Sequence, residues 1–336
     1  MDPIKNPFVP GAGTPPPELA GRQQLLSQAG IALARTGAGR AAKSLVLVGL
    51  RGVGKTVLLV RIREMAEEAK YKSSLIEAHE GKSLPSLLAP TLRQALFSLS
   101  KIANAKDKAM RGLRVLRSFV SGLKLKVGDV DLGLSIEPEL GTADSGDLEA
   151  DLAEMFVAVG EAAKAAKTAF VLCIDELQYL SENEFSALIM AIHKTNQMQL
   201  PLILVGAGLP QILGLAGESK SYAERLFDFP PVGALPETDA QAALATPAAS
   251  QGVTFSKKAL EEILRVTECY PYFLQQWGHE AWNLAPKSPI DLDTVKKATD
   301  AAITSLDKNF FRVRFDRCTP SERRYLRALA ELGPGP

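Results

Sequence analysis

The chain has little of what would mark a metal centre, a disulfide scaffold or a membrane span. Its 336 residues include only three cysteines and three histidines. Cys173, Cys269 and Cys318 lie far apart, form no CxxC pair, and by their odd number leave at least one thiol unpaired. Reduced, mostly buried thiols are expected. His79, His193 and His279 each stand without Cys, Asp or Glu at metal-ligand spacing and read as structural or surface residues. No segment approaches the ~18 unbroken apolar residues of a membrane-spanning helix. The leader up to Gly21 is broken by prolines and holds no apolar stretch of signal-peptide length. A soluble, cytoplasmic protein without a membrane partner is expected. An excess of charge of one sign is also missing: 39 basic and 38 acidic residues leave a net charge of +1, so any nucleic-acid affinity must come from a local patch.

What the chain does have is the makings of an ordinary folded core, with 46% hydrophobic residues and length enough for two domains. Leu25, Leu26, Ala29, Ile31 and Leu33 recur at helical spacing and predict a helix before "TGAGR". "SLVLVG" (44–49), "SSLIEA" (73–78), "AFVLCIDEL" (169–177) and "LPLILVGAG" (200–208) are short apolar runs of the kind buried on both faces in a parallel sheet. Helical patterns separate them, the first being the stripe Leu58, Leu59, Ile62, Met65, Ala66 and Ala69. Alternating strands and helices predict an α/β layer fold. From Pro236 the strand-like runs stop and helices follow one another. Ser256 is a candidate cap for the first, Pro271 suits a first helical position, and Asp291 or Asp293 can cap a third. A capping box, Thr319 with Glu322, opens a last short helix. The apolar residues Tyr325, Leu326 and Leu329 on it predict a module whose remainder lies outside the sequence.

Between the second and third strand runs, residues 101–126 carry eight basic side chains against Asp107 alone, and residues 127–154 carry nine acids and no base. Either the basic block is a nucleic-acid or partner surface, or it is a solvated helix face partly neutralised by the acids that follow. "LKLKVGDVDLGLSI" (123–136) alternates about Gly128 and Asp129 and predicts a hairpin.

The chemistry lies in two places. "GLRGVGKT", residues 49–56, fits GxxxxGK[ST], with Gly49, Gly54, Lys55 and Thr56 at the fixed positions. A loop without bulky side chains lets the backbone N–H groups of Leu50, Arg51, Gly52, Val53, Gly54, Lys55, Thr56 and Val57 converge on phosphate, at a helix N-terminus whose dipole favours negative charge. Lys55 is positioned to neutralise the β- and γ-phosphates of ATP, and the Thr56 hydroxyl to ligate Mg²⁺. "FVLCIDE" then ends an apolar strand in two adjacent carboxylates. Asp175 is the candidate for holding Mg²⁺ through water, and Glu176 the candidate general base.

With these motifs the chain resembles AAA-type ATPases, in particular bacterial ATPases similar to the origin-recognition and replication-initiator group. The segments "NPFVPGAG...PPELAGR", "GLRGVGKT", "VLCIDE" and "LILVGAG" carry the resemblance. It implies a parallel sheet of order 5-1-4-3-2 in a core spanning about 1–235, with the hairpin insertion at about 101–150. A helical lid over 236–310 would follow, and residues 311–336 would begin a winged helix. The implied ligands are ATP and ADP with Mg²⁺. The implied partners are further copies of the chain in a homo-oligomer, and duplex DNA through the C-terminal domain. Arg22 resembles a position near the adenine pocket, a helix-capping salt bridge being the other reading. Arg225, in "SYAERLFDF", resembles an arginine finger, the alternative being an arginine salt-bridged to Glu224 or Asp228.

Two departures temper the expected activity. The fourth strand offers only Gly206, Ala207 and Gly208 where the family usually places a polar residue, and "YPYFLQQ" (270–276) lacks the lid arginine. Slow ATP hydrolysis coupled to assembly or to a DNA or protein contact is the leading expectation. The rivals are a STAND-like nucleotide-gated switch with little turnover and a DNA-binding regulator on an ATPase scaffold, suggested by the arginines of the tail.

Overall fold

The computed structural model describes residues 1–11, 13, 15–123, 136–219 and 223–333, so most of the hairpin expected over 123–136 lies outside the described residues. The chain divides into two compact units, one of Arg22–Gly233 and one that joins Met1–Gly21 to Ala234–Pro336.

The first unit runs, in chain order, α1 (Gln23–Gly37), β1 (Ser44–Val48), α2 (Lys55–Glu68), β2 (Lys72–Glu77), α3 (Leu84–Ser100), α4 (Lys106–Gly122), α5 (Leu148–Ala165), β3 (Phe170–Asp175), α6 (Glu182–Gln197), β4 (Leu202–Gly208), α7 (Ile212–Ser219), α8 (Ala223–Leu226) and β5 (Phe227–Asp228). The strands form one parallel sheet of order β2-β3-β4-β1-β5, which is the expected 5-1-4-3-2 read from the other edge. Every residue of β1, β3 and β4 is buried, which explains why these strands read as unbroken apolar runs. Successive side chains take opposite faces. Val46, Val48, Phe170, Leu172, Ile174, Leu202 and Leu204 join a core with α3 to α6, while the intervening residues of the same strands lie toward α1 and α2. In α1 the buried residues are Ala29, Ala32, Leu33 and Thr36, and Ile31, expected on that face, is 60% exposed. The stripe Ala29–Leu33–Thr36 follows the 3.6-residue period, and Ile31 falls off it.

Polar side chains fix the joints of this unit. Glu184 closes a capping box with Ser181 at the start of α6 and also accepts the first free N–H of α3, from Leu84, at 2.6 Å. Asp151, 2% exposed, accepts from the Ser145 N–H, the Ser145 hydroxyl and the Gly146 N–H at 3.1, 2.8 and 2.9 Å, anchoring the approach to α5. The basic face of α4 meets acids: Lys108 pairs with Glu161 at 2.9 Å, and Arg111 with Glu139 and Glu161 at 2.9 and 3.2 Å.

The second unit contains α9 (Glu237–Ser250), α10 (Lys257–Thr267), α11 (Pro271–Leu284), α12 (Leu292–Leu306), α13 (Arg312–Arg317) and α14 (Pro320–Leu332). Ser256 and Asp291 cap α10 and α12 through the N–H groups of Ala259 and Thr294. Trp277 and Trp282 fill its core, their indole N–H groups donating to Thr299 Oγ1 and to the Asp2 carbonyl, both at 2.9 Å. The leader packs here. Phe8 is fully buried against α11, where a Cβ at Gly278 would lie 2.7 Å from its ring, and Asn6 donates to the His279 carbonyl and to Asn283. A π-helical turn, Asp307–Phe311, links α12 to α13. On α14, Tyr325, Leu326 and Leu329 are exposed, the first by 66%.

Candidate nucleotide site

The strand order brings the C-terminal ends of β1, β3 and β4 side by side, where open parallel sheets bind ligands. The loop after β1 turns sharply into α2 with Gly52 and Gly54 at φ 84° and 93°, a conformation other residues enter only under strain. Gly49 is required for a different reason: a Cβ there would lie 2.0 Å from the Val232 carbonyl oxygen. The first glycine of the motif thus admits the segment that runs beside β1, where the Val232 N–H donates to the Val48 carbonyl at 2.7 Å.

Lys55 begins α2 and is only 7% exposed; its ammonium donates to the Leu50 carbonyl at 2.9 Å. Burial pushes its pKa below the ordinary value of 10.5, against the attraction of Glu176 and Asp175, and the Arg51 guanidinium pushes the same way. A buried ammonium at the mouth of a glycine loop is chemically suited to an anion. The Thr56 hydroxyl donates to Asp175 Oδ2 at 2.6 Å. Asp175, 5% exposed, also accepts the Glu176 N–H at 2.8 Å. Glu176 itself has a left-handed backbone, φ 54° and ψ 41°, which turns the chain out of β3 into the short Leu177–Tyr179 turn.

The structure therefore brings Lys55, Thr56 and Asp175 together around one end of the sheet, with Glu176 following directly in the chain. Arg22 lies against the same loop: its guanidinium donates to the Val53 carbonyl at 3.2 Å and to the Gly233 carbonyl at 2.6 Å. It also stands at the N-cap position of α1 without making a side-chain capping bond. Arg225 is exposed on α8, apart in sequence from the loop of residues 49–57. Asp228, a partner considered for it, instead pairs with Lys43 at 3.1 Å. Leu50 and Arg51 are exposed.

Two contacts were not legible in the sequence. Gln178 donates from its amide nitrogen to Glu176 Oε2 and accepts, through Oε1, the Leu209 N–H at 3.1 Å. The Tyr179 hydroxyl meets the Arg51 guanidinium at 3.0 Å. A polar residue two or three places after the strand carboxylates is the only local signal for either.

A five-stranded parallel sheet of this order, with a glycine loop between β1 and α2, defines an AAA-type P-loop ATPase core. Residues 18–205 match the family described as AAA ATPase domain, and because the match spans more than half of the sequence, the chain belongs to that family. AAA ATPases bind nucleotide, typically with Mg²⁺. Residues 308–336 match a second family, described as Domain of unknown function (DUF8462). No curated protein shows a significant match to the chain. Among solved structures, the Aeropyrum pernix Orc1 protein in complex with DNA is 15% identical, with 95% of this chain and 74% of that chain covered and a TM-score of 0.52. The Thermotoga maritima RuvB Holliday junction branch migration motor is 16% identical, with 88% and 78% covered and a TM-score of 0.46. At such identities the likeness to Orc1 is one of fold. Among the described residues, no helix is long and apolar enough to cross a membrane.

Proposed function

We propose that the protein binds ATP in the loop of residues 49–57 and hydrolyses it slowly, using the nucleotide state to change its assembly or a DNA or protein contact. The observation that carries this reading is the convergence of Thr56 and Asp175 at 2.6 Å beside the buried Lys55. A hydroxyl and a carboxylate are hard oxygen donors suited to Mg²⁺, and a buried ammonium next to them suits phosphate oxygens. Thr56 directly and Asp175 through water would hold the ion, which when bound supplies charge neutralisation on the phosphates. Lys55 pairs with β- and γ-phosphate oxygens. Glu176 takes a proton from the water whose oxygen attacks the γ-phosphorus, while the bond to the β–γ bridging oxygen breaks and ADP leaves. Backbone N–H groups of the loop orient the phosphates, with Gly52 and Gly54 permitting the close approach.

The end of β4 favours a second reading, a nucleotide-gated switch, because Gly206, Ala207 and Gly208 place no polar side chain there. A duplex-DNA contact draws support from the exposed arginines of α13 and α14, some of which are already engaged: Arg323 stacks on Phe315 and Arg327 pairs with Glu331. One experiment separates these readings: ATP turnover by wild type and Glu176→Gln, across protein concentration, with and without duplex DNA. Turnover in wild type alone, rising per molecule with concentration, supports an assembling ATPase. Tight ATP binding by both proteins without turnover overturns hydrolysis in favour of the switch.

A further inference from the structure

The Leu177–Tyr179 turn lies directly on the end of β4, and the glycines of that strand are what let it. A Cβ at Gly206 would lie 2.3 Å from Leu177 Cδ1, and one at Gly208 would lie 3.3 Å from Gln178 Oε1. The space in which a side chain on β4 would stand is filled by the turn, and Gln178 brings its own amide group there. The orientation of that amide is set by its two partners: the Leu209 N–H can only donate and the Glu176 carboxylate can only accept, so Oε1 faces the first and Nε2 the second. Among the described residues, this is the only hydrogen bond made by the Leu209 N–H.

We propose that Gln178 is a positioning residue, a clamp that holds the Glu176 carboxylate at a fixed place relative to the C-terminal end of β4. The clamp rests on the hydrolysis reading given above. It acts on the reacting water only through Glu176. Glu176 leaves β3 in a left-handed conformation, and a glutamate side chain has several rotatable bonds, so a second fixed point is what defines where its oxygens stand. The amide occupies Oε2 and leaves Oε1 to accept from water. By spanning from Glu176 to Leu209, Gln178 ties the end of β3 to the segment leading into α7, so a displacement of that segment would carry the carboxylate with it. The glycines of β4 are then not a lost polar position but the seat of one supplied by the neighbouring turn.

The test uses Gln178→Met, which keeps the length and packing of the side chain while removing both hydrogen bonds. Nucleotide affinity and kcat are measured for wild type, Gln178→Met and Glu176→Gln, with amide exchange followed at Leu209 in the full chain. Misplacement of a general base lowers kcat by roughly ten- to a hundredfold. The expectation is therefore that fall in kcat with ATP affinity within about twofold of wild type, and faster exchange at Leu209 while the amides of 203–207 stay protected. Unchanged kcat in Gln178→Met, or a parallel loss of kcat and affinity, would overturn the clamp. So would unaltered exchange at Leu209. A wild type that does not turn over would sink the hydrolysis reading, and the exchange at Leu209 would still decide whether the tether exists.

Discussion

Replacing Lys55 by methionine sets stability against function in one residue. The lysine stem is buried at the start of α2, and a methionine fills much the same volume without the charge. Because burial outweighs the attraction of Glu176 and Asp175, the ammonium of the ligand-free protein binds its proton less readily than in the unfolded chain. The unfolded chain therefore holds more protons between the lowered pKa and 10.5, and stability rises with pH across that window. Lys55→Met removes the burden, so its melting temperature without nucleotide is expected to equal or exceed that of wild type at pH 7.5 and to lose the alkaline rise. The effect on ATP is the reverse. Two charge-assisted hydrogen bonds to phosphate oxygens contribute roughly 1.5–3 kcal/mol each. Their loss lowers affinity by at least about a hundredfold at 1.4 kcal/mol per decade. Differential scanning fluorimetry with and without MgATP, with calorimetric titration of ATP, measures both sides. A mutant that melts several degrees lower without nucleotide, or that keeps ATP affinity within tenfold, would refute the reasoning.

Four further outcomes are expected. Gly49→Ala must displace the Val232 carbonyl by more than an ångström and disrupt the Val232-to-Val48 hydrogen bond, at a cost of about 2–3 kcal/mol in urea unfolding; an unchanged midpoint would contradict it. Asp151→Ala leaves the Ser145 and Gly146 N–H groups without their acceptor and should cost roughly 2–3 kcal/mol by the same measurement, with Asp151→Asn less harmful. The Cys173 thiol, fully buried in β3 and pushed up to about 12 by that burial, should resist alkylation in native buffer at pH 8 and react on unfolding, which mass spectrometry of labelled peptides reads directly. Arg225→Ala should abolish ATP turnover while sparing ATP affinity, and equal turnover in mutant and wild type would dispose of Arg225 as a finger.

The sheet was legible where its strands are buried on both faces, because a continuous apolar run such as Leu45–Val48 or Phe170–Ile174 has few other uses. The fifth strand was not: Phe227–Asp228 is two residues long, and only its register with Ser44 and Leu45 makes it a strand. Caps were readable, as at Ser256 and Thr319, since each acts within three residues of itself. The glycine loop and the two carboxylates at the end of β3, Asp175 and Glu176, were equally local signals. What escaped depends on neighbours that are remote in sequence. Gln178 meets Leu209 only because β3 and β4 lie side by side, and Arg22 meets Gly233 across more than two hundred residues. The ion pairs that Lys108 and Arg111 of α4 make with Glu139 and Glu161 likewise join residues 28 or more positions apart.

The packing of the leader has a consequence for how the chain is made. Arg22–Gly233 is contiguous in sequence and holds its own core, whereas the helical unit is assembled from segments on either side of it. Residues that pass through the ribosome before Arg22 must wait for α11 to emerge before Phe8 and Asn6 have anything to bind. At roughly 5–20 residues per second this interval is on the order of ten seconds or more, long enough for the sheet to close first. The Arg22 side chain, bonded to the Gly233 carbonyl, fastens the two points at which the chain leaves that sheet-bearing unit. Synthesis in the N-to-C direction thus gives an order of events in which the segment ahead of Arg22 docks only after Arg22–Gly233 has been made, and pulse-labelled protein is where such late docking of the leader would be seen.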